Sequence, residues 1–243
     1  MFTQLRACLV VLGRPGSGCT TLLKTLANRR KEYHGVHGDV FYDSISPEEV
    51  YHRYRGDVQY CPEDDIHFPT LTVEQTLKFA ATTRTPHCRG DETRDQFADS
   101  VVDILTTVFG LRHVRKTPVG DHMLRGVSGG EKKRVSIAET LAARSRIACW
   151  DKSVICFLSL NTKLLTNIFL TSSTRGLDAS TALEFVQALR IATDTFHLTT
   201  IVSIYQASEQ LYQHFDKVCL IHEGKMAYFG PAVEARQYFI DMG

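Results

Sequence analysis

The chain has 243 residues, enough for one large domain with its own core. Its 43% hydrophobic and 23% charged content is that of an ordinary globular protein, and a net charge of +1 offers nucleic acid no general hold. Seven cysteines without a CxxC pair exclude a paired disulfide framework and a zinc site of common spacing, and they point to a reducing cytosol.

No secretory segment opens the chain, because Arg6 interrupts the one apolar candidate. Ala7 to Leu12 is a short apolar run closed by glycine and reads as a buried strand. The stretch GRPGSGCT follows at 13–20. Cys19 to Asn28 then places Leu22, Leu23 and Leu26 on one helical face and ends in Arg29, Arg30 and Lys31, cations that suit a helix C-terminus. Residues 35–60 alternate weakly and read as short strands and loops. Asp64 and Asp65 beside His67 are read as capping the turn that follows them. Thr72 and Gln75 are spaced as a capping box that opens a helix through Leu77 and Ala80. Phe97, Val101, Ile104, Leu105 and Val108 give the next helix its periodic face, and Val135, Ile137, Ala138, Leu141 and Ala142 give another after the break at 126–130.

Arg146 to Trp150 reads as a second buried strand, ending in Asp151. The stretch 153–171 is long enough to span a bilayer, but Asn161, Lys163 and Asn167 lie inside it, and a lysine there costs ~3 kcal/mol, so the span is rejected. Ala179 to Ile191 is helical, Thr199 to Ile204 is a β-branched strand, and Lys217 to Phe229 reads as a hairpin turning at Glu223 and Gly224. Alternating strands and helices predict an α/β fold with a mainly parallel sheet and a helical insert.

Strand, glycine loop and helix is the context in which GRPGSGCT becomes a phosphate site. Gly13 and Gly18 bend the backbone so that successive N–H groups point into one concavity, and the following helix adds its positive end. Gly13, Arg14, Pro15, Gly16, Ser17, Gly18, Cys19, Thr20 and Thr21 form that candidate cradle, with Thr20 at the Mg²⁺-reaching hydroxyl position. Cys19 stands where lysine would neutralise phosphate charge, so binding persists while fast γ-phosphate transfer is lost. On the loop alone, a glycine turn before an ordinary helix remains the other reading.

VSGGEKKRVSIAE, at 127–139, resembles the signature motif of ATP-binding-cassette (ABC) transporter nucleotide-binding domains, and an apolar helix and a strand ending in Asp151 follow it. QYCPEDDIHFPTLTVEQTLKFA, STRGLDAST and the segment from Ser203 to Gly243 are similar to the first cassette of the fungal pleiotropic-drug-resistance (G-type) subfamily. That resemblance implies a P-loop NTPase (RecA-like) fold, a single domain over 1–243 with a helical subdomain at about 72–140, and ATP with Mg²⁺ as cofactors. It implies nucleotide contacts from Ser128, Gly129, Gly130, Glu131 and Asp178, with Thr20 and Asp151 toward the metal. It also marks Cys19, Glu63, Lys152 and Tyr205 as degenerate positions, all on the hydrolytic side of one site, which leaves no confident catalytic residue. The implied partners are a second cassette, bound head-to-tail, and transmembrane domains of the same transporter; the implied place is the cytoplasmic face of a membrane, the plasma membrane in this subfamily. The expected role is to bind ATP·Mg²⁺ in a hydrolysis-deficient site and to lend the signature to the partner during efflux of xenobiotics or lipids.

Residues 152–172 separate Asp151 from Ser173 where the resemblance implies almost no spacer. An in-frame retained intron is the expectation, with a genuine loop insertion as the alternative, and a transcript joining Trp150-Asp151 almost directly to Ser173 would carry the first. The chain opens one strand before the phosphate loop and stops where the family's transmembrane domain begins, so a fragment of a longer transporter is expected. A soluble nucleotide-gated clamp and a non-functional fragment are the rival readings.

Overall fold

The computed structural model describes residues 7–151, 179–204 and 208–243. In chain order the elements are β1 (Cys8–Gly13), α1 (Cys19–Leu26), α2 (Pro47–Arg53), β2 (Val58–Cys61), α3 (Val73–Thr83), α4 (Arg94–Val108), α5 (Gly129–Ala142), β3 (Ile147–Trp150), α6 (Ala179–Phe196), β4 (Thr199–Ile204), α7 (Glu209–Tyr212), β5 (Lys217–His222), β6 (Lys225–Pro231) and α8 (Ala232–Met242). They fall into two compact units. Among the described residues all six strands lie in the first, which covers 7–63, 145–151, 182–204 and 208–243; α3, α4 and α5 lie in the second, which covers 64–144 and 179–181.

The first unit is built on one sheet of order β2-β3-β4-β1-β5-β6. Every pairing is parallel except the closing β5–β6 hairpin. This is the α/β, mainly parallel sheet that the alternating sequence predicts. The central strands are short apolar or β-branched runs, as sheets covered on both faces require, and all six residues of β4 are buried. α1 covers one face: Leu23 and Ala27 pack with Leu9, Val11, Cys149, Ile201, Cys219 and Ile221. The β5–β6 turn places Glu223 at φ 48° and Gly224 at φ 75°, the paired left-handed geometry that a two-residue hairpin favours. Asp216 ties the first strand down: it accepts from the Cys8 N–H at 2.7 Å and pairs with Arg190 of α6 at 2.6 Å.

Three of the described helices, α2, α7 and α8, are absent from the sequence reading. α2 occupies part of 35–60, with Ser46 as its N-cap accepting from the Glu49 N–H at 3.2 Å and Pro47 in its first turn. Those residues carry a recognisable start signal, but the short apolar face behind it, with Val50 alone buried, gives no helical period.

Among its described residues the second unit holds α3, α4 and α5 with their connections and the first turn of α6. Thr72 and Gln75 form the reciprocal capping box that their spacing predicts, and Thr93 and Gln96 form another at the start of α4. α4 is where the periodicity places it, but its inward face differs. Ala98, Val102 and Thr106 are buried, whereas Ile104 is 61% exposed. The reason is close packing: Ala80, Ala81, Ala98 and Ala142 meet at the centre of the three helices, with Val101 and Leu105 beside them. Small side chains, which hydrophobicity counting undervalues, set the approach. Ala98→Leu overpacks that centre and is expected to lower unfolding stability by about 1–3 kcal/mol, read as a lower denaturant midpoint at unchanged slope.

The acidic pair ahead of α3 does not cap a local turn. Asp65 accepts from the Ser136 hydroxyl at 2.5 Å and pairs with the buried Lys133 at 3.5 Å, both on α5. His67 lies against the same helix, with Nε2 2.8 Å from Ser136 Oγ and Nδ1 3.2 Å from Glu139. Long-range partners outcompete the local capping that the sequence suggests, because a buried imidazole and a buried ammonium must find polar partners wherever they lie.

Candidate functional site

The loop between β1 and α1 has the shape of a backbone cradle. Gly16 and Gly18 sit at φ 85° and 98°, conformations that side chains resist, and a Cβ on either would meet nothing within 4 Å. Glycine is therefore required there by the bend, and the space beside it is open. Gly18 caps α1 with no side-chain hydrogen bond, and a helix start of this kind turns its positive end toward an anion. Inside the loop the Ser17 N–H donates to the Arg14 carbonyl at 2.9 Å, and the Gly224 N–H of the hairpin turn donates to the Ser17 carbonyl at 3.1 Å. Ser17 is buried, Arg14, Pro15, Gly16 and Thr21 are exposed, and Thr20 is half-buried.

Cys19 does not face the loop opening. It is 7% exposed and belongs to the core beneath α1, and its Sγ lies where a Cβ on Gly13 would come within 2.7 Å. The position that would carry the phosphate-binding cation is a small packed residue.

Asp151 follows β3 and is 2% exposed. Its N–H donates to the Cys61 carbonyl at 2.9 Å. Both carboxylate oxygens accept hydroxyl donors: Tyr60 at 2.7 Å on Oδ2 and Ser203 at 2.7 Å on Oδ1. Burial, then the hydrogen bond to Asp151 and after it the Asp151 charge, push the Tyr60 phenol far above its usual range, so it stays a donor. The register explains the meeting. Tyr60 pairs with Cys149 and Cys149 with Ile201, so the three side chains rise from one face at the C-terminal ends of adjacent parallel strands. Ligands of open α/β sheets bind at that edge. A buried carboxylate with both oxygens held fits a divalent ion, and a glycine cradle fits a polyphosphate; Thr20 and Asp151 would hold the metal, Gly13 to Thr21 the phosphates. Neither Tyr60 nor Ser203 stands out in the sequence, because nothing in their spacing points to Asp151. Glu63 lies exposed at the end of the first unit.

In the second unit Ser128 is the N-cap of α5 and forms a capping box with Glu131. The Ser128 N–H and hydroxyl each donate to Glu131 Oε2 at 2.8 Å, and His113 lies 2.8 Å from Oε1. Burial pushes the Glu131 carboxyl up, but the bonds from Ser128 and then His113 outweigh it and hold its pKa below the usual glutamate value. His113 is a partner that the sequence does not reveal. Gly129 has nothing within 4 Å of a built Cβ, so no internal contact demands a glycine there. Gly130 continues the same helical turn. The structure thus places Gly13 to Thr21 and Asp151 in one unit and Ser128 to Glu131 in the other. Lys152, Asp178, Tyr205 and the whole of 152–172 lie outside the described residues. Among the described residues no helix is long and apolar enough to cross a membrane.

The sequence profile of ABC transporters matches residues 4–154, from the first strand through the phosphate loop and the capped glycine helix to Asp151. The chain belongs to the ABC transporter family. This ABC chain is 48% identical to "ABC multidrug transporter atrF" of Aspergillus flavus over 97% of its own length, and 47% identical to "ABC transporter CDR4" of Candida albicans over 96%. It spans 14% of the length of each of these relatives. The ABC ATPase fold is shared with cbiO1 of Clostridium perfringens, part of the ABC transporter complex cbiONQ, at a TM-score of 0.69 and 19% identity, over 100% of this chain and 84% of that one.

Proposed function

We propose that this ABC cassette binds ATP·Mg²⁺ through its loop backbone in a site that does not hydrolyse it, and lends its signature helix to a second cassette. In this reading the whole protein is a multidrug-type exporter at a membrane, in which nucleotide binding drives substrate movement. The single observation that carries the reading is the loop itself: an open cradle on α1 whose N-terminus has no side-chain cap, while Cys19 is turned into the core. Backbone amides and the helix dipole attract phosphate without any lysine. Asp151 and Thr20 would hold the Mg²⁺, which supplies charge neutralisation between phosphate oxygens. Glu63, Lys152 and Tyr205 replace the residues that would position or activate water, so turnover at this site is negligible. On the other unit, Ser128 and the N–H groups of Gly129 and Gly130 face a partner's γ-phosphate, and the open space at Gly129 supports that close approach.

Titration of the 243-residue chain with a fluorescent ATP analogue and Mg²⁺ is expected to give saturable binding with no phosphate release over the background. Absence of uptake at millimolar nucleotide would sink the proposal.

A further inference from the structure

We infer that Tyr60 and Ser203 are positioning residues that set the orientation of the Asp151 carboxylate for its divalent ion. The inference rests on the reading of Asp151 as a metal-side carboxylate and extends it to groups that never touch the metal. A carboxylate on a short aspartate stem rotates freely about its last bond unless its oxygens are held. Here Oδ2 accepts the Tyr60 hydroxyl and Oδ1 the Ser203 hydroxyl, each at 2.7 Å and from the strands on either side, so the plane of the group is held from both flanks. The donors are themselves held. Ser203 is 2% exposed within β4. The Tyr60 ring is covered by Arg29, with its guanidinium carbon 5.4 Å from the ring centroid, and by Lys24 at 5.8 Å. Lys24 lies on α1, so the ring that orients the carboxylate also leans on the helix that carries the phosphate cradle.

Two opposite effects attend removal of a donor. The oxygen becomes more basic, which favours a cation, but the carboxylate gains rotation that metal binding must then freeze out. For outer partners of metal ligands the loss of orientation usually dominates and weakens the metal by about 10- to 100-fold. The test measures the Mg²⁺ concentration that half-saturates the metal-dependent part of nucleotide binding, alongside binding in excess chelator and a thermal melt. Tyr60→Phe and Ser203→Ala are each expected to raise that Mg²⁺ concentration at least tenfold, with chelator-phase binding and melting behaviour close to the parent. Ser203→Thr, which keeps the hydroxyl, is expected to restore the parent value. Unmoved Mg²⁺ dependence in both Tyr60→Phe and Ser203→Ala, an equal loss with and without metal, or tighter Mg²⁺ binding in Tyr60→Phe overturns the inference, the last because the phenol would then be a competitor of the ion. If the parent chain binds nucleotide with no Mg²⁺ dependence, the metal role of Asp151 fails and the inference falls with it.

Discussion

Ser128→Arg is expected to abolish ATP turnover in a complete exporter carrying this cassette, while nucleotide uptake by the 243-residue chain alone stays at the parent level. Ser128 caps α5 and, in the proposed arrangement, faces a phosphate held by the partner. An arginine there fills the approach that the bare Gly129 leaves open and removes the hydroxyl, with its bond to Glu131 Oε2 and the one it accepts from the Glu131 N–H. Loss of the cap costs about 0.5–2 kcal/mol, too little to unfold a helix packed on α3 and α4, so the chain keeps its fold. Its own phosphate loop lies in the other unit and is untouched. Unchanged turnover in the whole protein would refute the loan of the signature to a partner. Lost uptake by the chain alone would instead place Ser128 at its own nucleotide.

Cys19→Lys has the second large effect, on affinity. A charge-assisted bond to phosphate contributes about 1.5–3 kcal/mol, so nucleotide is expected to bind about 10- to 150-fold more tightly. Against this stands the loss of a small packed residue, 7% exposed, whose replacement must leave the core toward the loop opening. Turnover is expected to remain near background, because a general base typically contributes about 10²- to 10⁴-fold and position 152 remains lysine. Calorimetric affinity and phosphate release, measured on the same preparation, separate the two quantities. A large gain in turnover from this one change would contradict the assignment of Glu63, Lys152 and Tyr205 as degenerate.

The parts of the site legible in the sequence are those made by near neighbours. Gly13 to Thr21 is a contiguous strand, bend and helix start, and the glycines announce the φ values that the structure contains. Thr72 with Gln75 are likewise three apart, and their capping box is present. What the sequence withheld depends on residues far apart in the chain. Tyr60 and Asp151 are 91 positions apart, Ser203 and Asp151 52, and only strand register brings them together. The direction of Cys19 was hidden for a similar reason, since the residues that receive it come from β1, β3, β4 and β5. α4 was located by its period but turned by its alanines, and α2 had a clear start and too little apolar face to be noticed.

The bond from the Gly224 N–H to the Ser17 carbonyl gives the hairpin a direct line to the loop. A guest that tightens the bend around Ser17 also shields the Gly224 amide from exchange with solvent deuterium. That one proton, on a turn remote in the chain, is therefore a built-in gauge of loading that needs neither a fluorophore nor a working catalytic centre.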